Sequence, residues 1–498
     1  MSDTRSARVR RRLSHPVVDA DGHWVEAQSV FQEYLGEVAG PGMVDKYRKN
    51  GAGGSLQGQG WYDLTPQERA RRRMTRAAWW GHPANADARS AAMMPALFYE
   101  HLDDWGIDYA IVYPTMGLLL PNARDDDLRQ ALTRAYNTMA SDLFRPFADR
   151  MTPAGLCALN TPAAAIEEAE YAVKVLGLKV LVMNGAVPRA MTADADWQPD
   201  PARRRVYIDC LALDSPYDYE PVWAKFAALK VAVTDHSLSN GWPDRNSPTN
   251  YVANHIGHFA QSHHAFARAL FLGGVTERHP GLNFGFLEGG VGWACSLYAD
   301  LFGHWNTRSK RSMDKYLKPT NIDQDEMRRL MTRHAKGTRF EGKIDEILAH
   351  NLGGASQSVS AEDATRRDID CDDFAAVKID GPDDIRRLFA RNFYFGCEAD
   401  DPITAWAFDT KVNTCIKPVL GSDISHFDVI DPSAVLEEAW ELVEHGLISD
   451  ENFRDFTFGN VVEMHGGMNP DFFRGTRVQD EAARELRRRT QTNAKAPG

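Results

Sequence analysis

The sequence contains no CxxC pair, no apolar run of about 18 residues that could cross a membrane, and no surplus of positive charge. Each absence excludes something. The six cysteines, at 157, 210, 295, 371, 397 and 415, are scattered, and some sit in apolar surroundings such as Ala154-Gly-Leu-Cys157-Ala-Leu. This is the usage of free thiols in a reducing cytoplasm, not of a disulfide framework or a zinc ribbon. A formal net charge of −12 speaks against a nucleic-acid partner, which calls for clustered Lys and Arg. The one basic cluster, Arg5 to Arg12, is read as a solvated arm. No apolar run follows it, so it does not form a secretory signal. Neither a membrane nor a nucleic acid is expected as a partner. There is also no internal repeat and no low-complexity block.

What is present is enough apolar material for a large core and many histidines: 43% of the 498 residues are hydrophobic, and 16 are His. Eight short runs, rich in β-branched and aromatic residues, alternate with helical patterns. They are Pro16 to Trp24, Asp108 to Pro114, Met151 to Leu159, Lys179 to Asn184, Lys230 to His236, Leu282 to Gly289, Asn392 to Glu398 and Ile416 to Asp423. Eight such units predict an α/β fold, a closed (β/α)8 barrel. The spacing is uneven. Roughly eighty residues separate the first two strands and roughly a hundred the sixth and seventh, far beyond an ordinary connection. The expected organisation is a mobile arm over 1–15, one barrel domain over 16–474 with insertions at about 27–105 and 303–390, and a polar tail over 475–498. The insertions follow strand C-termini, where a barrel builds its active-site rim, and are read as a lid or a dimer contact.

Three strand ends carry candidate chemistry. In Asp19-Ala-Asp21-Gly-His23, residues two apart on a strand face one side, so Asp21 and His23 can both project into the barrel mouth as a carboxylate and an imidazole for a divalent metal. The bland reading is a turn-forming Asp-Gly beside a surface His. The fifth strand ends in Asp235-His236, and there the alternative is a His satisfying a backbone carbonyl. The eighth ends in Leu420-Gly-Ser-Asp423, where Asp423 can ligate a metal and shuttle a proton, or cap the next helix. Each is modest alone; three strand ends bearing Asp/His, His and Asp together are not.

This pattern resembles the amidohydrolase superfamily, in particular the branch containing aminocarboxymuconate-semialdehyde decarboxylase and γ-resorcylate decarboxylase. The resemblance runs over roughly residues 15 to 470. It also includes Ala135-Tyr-Asn137 with Asp149-Arg-Met, Phe271-Leu-Gly-Gly-Val-Thr-Glu-Arg-His-Pro280, Leu287-Glu-Gly-Gly-Val-Gly-Trp293 and Gly421-Ser-Asp-Ile-Ser-His-Phe-Asp428. It implies one divalent metal ion held by Asp21, His23, His236 and Asp423, with Asp423 the proton shuttle and His236 or Glu288 assisting. The expected reaction is a non-oxidative decarboxylation, or other carbon–carbon cleavage, of a small organic acid derived from an aromatic ring. A hydrolase acting on an amide, lactone or vinylogous carbonyl through activated water is the alternative, and a non-catalytic ligand-binding barrel is a third. A cytoplasmic homodimer is implied as well.

Two departures qualify the resemblance. The first ligand is Asp where many relatives have His or Glu, which makes Mn²⁺ as suitable as Zn²⁺. The sixth strand ends in Glu288 where decarboxylases of the branch carry a His. The fourth strand ends in Val182-Met183-Asn184, with Lys179 at its start, so the bridging Lys of two-metal relatives is missing. His426 and Trp24 are expected to touch substrate, although Trp24, like Trp293, also suits a core. His255, His258, His263 and His264 crowd one helix and are read as surface or packing residues. Asp428, Glu26 and the Glu398-Ala-Asp-Asp401 segment have open roles.

Overall fold

The computed structural model describes residues 3–50, 61–72, 74–76, 81, 83–191, 206–236, 246–350, 372–410 and 416–493. The Gly51–Gly60 stretch and the Gly353–Arg367 loop singled out in the sequence lie outside these, as do Cys371 and Cys415. The described residues fall into two compact units, one of residues 1–297 with 386–498 and one of residues 298–385.

The first unit is built on strands β1 (Val18–Trp24), β2 (Tyr109–Pro114), β3 (Met151–Leu156), β4 (Val180–Met183), β5 (Val187–Ala190), β6 (Val206–Asp209), β7 (Val233–Asp235), β8 (Phe284–Phe286), β9 (Phe393–Cys397) and β10 (Lys417–Leu420). Eight of them form one parallel sheet in the order β1-β2-β3-β4-β7-β8-β9-β10. β1 meets the segment after β10 through two backbone bonds, Asp423 N–H to Asp21 O and His23 N–H to Ile424 O, both 3.0 Å, which draw the sheet into a barrel. All eight expected strands are present. They are near-continuously buried, as parallel strands covered by helices must be. β5 and β6 form an antiparallel hairpin beyond β4 that the sequence pattern did not reveal. Part of its connection lies outside the described residues.

Two terminal expectations change. Residues 5–12 are not a loose arm but a helix, Arg5–Arg12, capped by Thr4, whose hydroxyl accepts from Ala7 N–H at 3.2 Å. Ala7 and Val9 are buried, Ser6 Oγ accepts from Leu436 N–H, and Arg10 pairs with Asp108 just ahead of β2. The arginines serve as docking charges there. The C-terminal tail likewise forms a docked helix, Gln479–Asn493, with the Glu485 side chain fully buried among arginines. Between β1 and β2 the insertion is helical, with Gln28–Ala39, Pro41–Asn50, Pro66–Arg72, Ala86–Met93 and Pro95–Trp105.

The second unit, taken by itself, holds helices Gln324–Ala335 and Ile344–His350. They pack through Ala335, Ile344 and Leu348, with Met327, Met331 and Ile347 against them. Among the described residues no helix is long and apolar enough to cross a membrane.

Candidate metal centre

The end of β1 is held by Asp19. Its carboxylate accepts from Ser422 N–H (3.0 Å), Ser422 Oγ–H (2.6 Å) and Asp21 N–H (3.2 Å), sewing β1 to the turn after β10. The register between β1 and β2 shifts between Asp19 and Gly22. A Cβ at Gly22 would sit 2.6 Å from Asp19 Oδ2, so the close approach of that carboxylate to the strand requires glycine. Asp19 is therefore the clamp that aims the next two polar residues inward, and burial raises its carboxyl to about 7.

Five side chains converge at the C-terminal mouth. His23 Nε2 lies 3.0 Å from His236 Nε2, 3.4 Å from Asp21 Oδ1 and 3.5 Å from Asp423 Oδ1. His236 Nε2 lies 3.6 Å from Asp21 Oδ1 and 3.2 Å from Glu288 Oε2. Ligand bonds of about 2.1 Å at angles between 90° and 109° put donors about 3.0–3.4 Å apart, so these separations are those of a shared ion. Metal-ligand atoms of Asp21, His23, His236 and Glu288 lie within 4.8 Å of one another, and so do those of His23, Glu288, Asp423 and His426. His23 and Glu288 are common to the two sets, and Asp423 belongs to the second. The expected ligands are thus brought together, and Glu288, expected as an acid/base, stands in ligand range as well.

The backbone is bent to achieve this. Glu288 (φ 57°) and Asp423 (φ 48°) both adopt the left-handed conformation in the short turns that follow β8 and β10. Non-glycine residues take it at some cost, and such strain is concentrated where side chains must be aimed.

Electrostatics make the cluster a cation site. Burial holds both imidazoles near 3, so His23 and His236 are neutral with lone pairs to give. The Nδ1 of His23 faces the Pro114 carbonyl oxygen at 3.1 Å; a proton there leaves Nε2 as the ligand atom. Burial raises Asp21 to about 6, opposed by His236 and His263. Glu288 and Asp423 are pushed well above the carboxylate range, first by burial and then by neighbouring carboxylates, Asp428 for both. Asp21 Oδ1, Glu288 Oε2 and Asp423 Oδ2 are buried with no hydrogen-bond partner. Buried polar atoms are normally paired, and a divalent ion is the partner this donor set of two imidazoles and three carboxylates fits.

Other residues take supporting places. His426 sits inside the cluster, its ring 3.9 Å from that of His23, with Nδ1 2.5 Å from Asp423 Oδ1 and Nε2 3.0 Å from Thr115 Oγ1. Trp24, expected to touch substrate, is not brought to the mouth. Its indole N–H donates to Tyr136 Oη at 3.1 Å and its ring packs edge-on against Phe144, on the opposite side of β1 from His23. Trp293 is a core aromatic against Phe286 and Phe395. Glu26 accepts from Met116 and Gly117 N–H, fixing the segment after β2. Lys179 donates to Phe472 O, away from the metal cluster.

The residue missed is His263. Fully buried, it faces Asp235 Oδ2 with Nδ1 (2.7 Å) and Leu287 O with Nε2 (2.6 Å), while Asp235 Oδ1 also accepts from Gly185 N–H. It therefore ties the residue preceding His236 to the residue preceding Glu288. The signal lay in the sequence: a His on the helix His258–Leu272 whose neighbours Phe259, Phe266 and Leu270 mark an apolar face. Helical crowding alone could not say which of the four histidines faced inward.

The fold and the cluster define a parallel eight-stranded barrel with a His/carboxylate metal centre at its C-terminal mouth. No family model and no curated protein sequence matches the chain. Among solved structures, an amidohydrolase from Mycobacterium avium subsp. paratuberculosis superimposes over 91% of this chain and 100% of its own, with TM-score 0.52 and 16% identity. This chain has that protein's fold. More distant superpositions include 5-carboxyvanillate decarboxylase of Novosphingobium aromaticivorans with manganese (TM-score 0.47, 13% identity, 89% of this chain and 94% of that). Another is a dihydroxybenzoic acid decarboxylase of Polaromonas sp., also with manganese (TM-score 0.45, 13% identity, 91% and 97%).

Proposed function

We propose that this chain is a metal-dependent enzyme of the amidohydrolase superfamily that removes a carboxyl group, without oxidation, from a small acid of aromatic origin. The observation that carries the metal-centre reading is the set of orphaned carboxylate oxygens of Asp21, Glu288 and Asp423 around two facing, neutral imidazoles. The substrate class rests on the sequence resemblance. Asp21, His23, His236 and Asp423 would hold the ion, which when bound supplies a Lewis acid able to orient a carboxylate and an adjacent oxygen.

The chain's own residues supply the proton. Burial and mutual repulsion push the Glu288 and Asp423 carboxyls upward while a bound ion opposes that shift, so these groups are placed to hold or release a proton at the mouth. Loss of CO₂ leaves an electron pair on the ring carbon. A proton from Glu288 or Asp423 replaces the departing carboxyl there, and the acid returns as a carboxylate. His426, between Asp423 and Thr115, holds Asp423 in place.

Glu288, where decarboxylases of the resembled branch have a His, favours a second reading: hydrolysis, with Asp423 as the base that takes a proton from water. A panel of hydroxylated aromatic acids and matching amides and lactones, assayed with the metal-loaded enzyme, separates the two. Release of CO₂ is the expected outcome. Carbonyl hydrolysis without CO₂ would overturn decarboxylation and support the second reading.

A further inference from the structure

We infer that the mouth of the barrel holds a second divalent cation, bound by His255, Asp428 and Glu288, with Glu288 shared between it and the inner centre. The inference rests on the metal-centre reading and extends it outward.

Three observations carry it. First, one ligand atom from each of His255, Glu288 and Asp428 lies within 4.8 Å of the others, so a His and two carboxylates on three separate segments meet at one point. Second, the Glu288 side chain is only 3% exposed, and its Oε2, which has no hydrogen-bond partner, faces His236 Nε2 at 3.2 Å on the inner side. A carboxylate has two oxygens, and one ion on the inner side does not use both. Third, His255 is held in place by aromatic rings: it stacks on Tyr251 at 5.2 Å and meets Phe427 at 5.9 Å and Phe259 at 6.4 Å. Its orientation is fixed before any ion arrives, which lowers the cost of binding.

Charge points the same way. Asp21, Glu288 and Asp423 are buried, and Asp428 and Glu398 add to the repulsion felt by Asp423. Among the described residues none of these five carboxylates forms an ion pair with Lys or Arg. Carboxylate-bridged ions in two-metal enzymes sit about 3.5–4 Å apart, a span one shared glutamate can provide. Two oxygen donors and one nitrogen suit Mn²⁺ at least as well as Zn²⁺. Asp428 is exposed, so the outer ion would exchange with solvent more readily and bind more weakly than the inner one. It would offer a coordination position for an anionic oxygen of the incoming acid.

The test uses the full chain, stripped with chelator and titrated with Mn²⁺ while free Mn²⁺ is followed by its electron paramagnetic resonance signal. The wild-type protein is expected to bind two ions per chain, a tight one and a weaker one, with an exchange-coupled signal when both are present. Asp428→Asn and His255→Ala are each expected to bind one, tightly, with an uncoupled signal. A wild-type protein saturating at one ion overturns the second site and leaves the inner centre standing. Two ions in both variants overturns the assignment to these residues. A wild-type protein binding none overturns the inner centre and this inference together.

Discussion

At His23 and His236 the two imidazole Nε2 atoms lie 3.0 Å apart, the spacing of two donors to one ion. Glu288 beside them is the residue most particular to this chain. If it supplies the proton, Glu288→Gln should keep the inner ion and the fold while turnover falls on the order of 10²-fold. Metal analysis and steady-state rates on the same preparation check this. Near-normal turnover in a metal-loaded protein would leave Asp423 as the proton carrier. The placement of Asp21, His23, His236 and Asp423 at strand ends was legible in the sequence because strand alternation and strand-end position are local signals. Alternation also settles Trp24, one residue past His23 and therefore turned to the other side of β1, where the helix Asp126–Phe144 covers it. His255 and His263 were visible only as members of a crowded helix, since their roles depend on residues far away in the chain.

Among the elements, β7 and β8 are the shortest strands of the barrel, three residues each, yet β7 is followed at once by His236 and β8, after Leu287, by Glu288. Their ends are joined by the Asp235–His263–Leu287 strut and by Leu287 N–H donating to Asp235 O at 3.0 Å. His263→Ala would remove the imidazole that faces the buried Asp235 Oδ2 at 2.7 Å. Breaking a buried pair by removing one member costs about 3 kcal/mol or more. The expected result is a lower denaturant midpoint together with weaker metal binding, because His236 and Glu288 lose their common brace. Unchanged stability and metal affinity would reduce the strut to incidental packing. All eight barrel strands could be read from their apolar runs. The β5–β6 hairpin could not: Val187-Pro-Arg-Ala190 and Val206-Tyr-Ile-Asp209 are broken by Pro, Arg and Asp and lack the apolar runs that marked the barrel strands. The N-terminal helix was misjudged because its arginines look solvated until Asp108 and the buried Ser6-Ala7 edge are in view.

For the whole molecule, the C-terminal helix closes an ionic network around the end of the barrel opposite the metal. Arg489 pairs with Glu463, Glu485 and Asp455, and Lys417 at the start of β10 pairs with Glu463 at 2.9 Å. Burial works against the Glu485 charge, but its bonds to Arg488 and Arg489 prevail and hold the carboxyl at about 2, below its ordinary 4.5. A depressed carboxyl stabilises the fold above its unfolded pKa, and that contribution is lost as pH falls from about 4.5 toward 2. Glu485→Gln should therefore lower stability at neutral pH and flatten the decline over that acid range. Denaturant midpoints measured from pH 7 downward check it; an acid limb identical to the wild type would contradict the network's role.

The account stands on the metal at the barrel mouth. Anomalous diffraction at the manganese edge, from crystals of the full chain grown with Mn²⁺, locates the ion directly. The strongest peak should lie within bonding distance, about 2.0–2.3 Å, of His23 Nε2 and His236 Nε2, with carboxylate oxygens of Asp21 and Asp423 completing its shell. Full-occupancy crystals with no peak between the two imidazoles would contradict it.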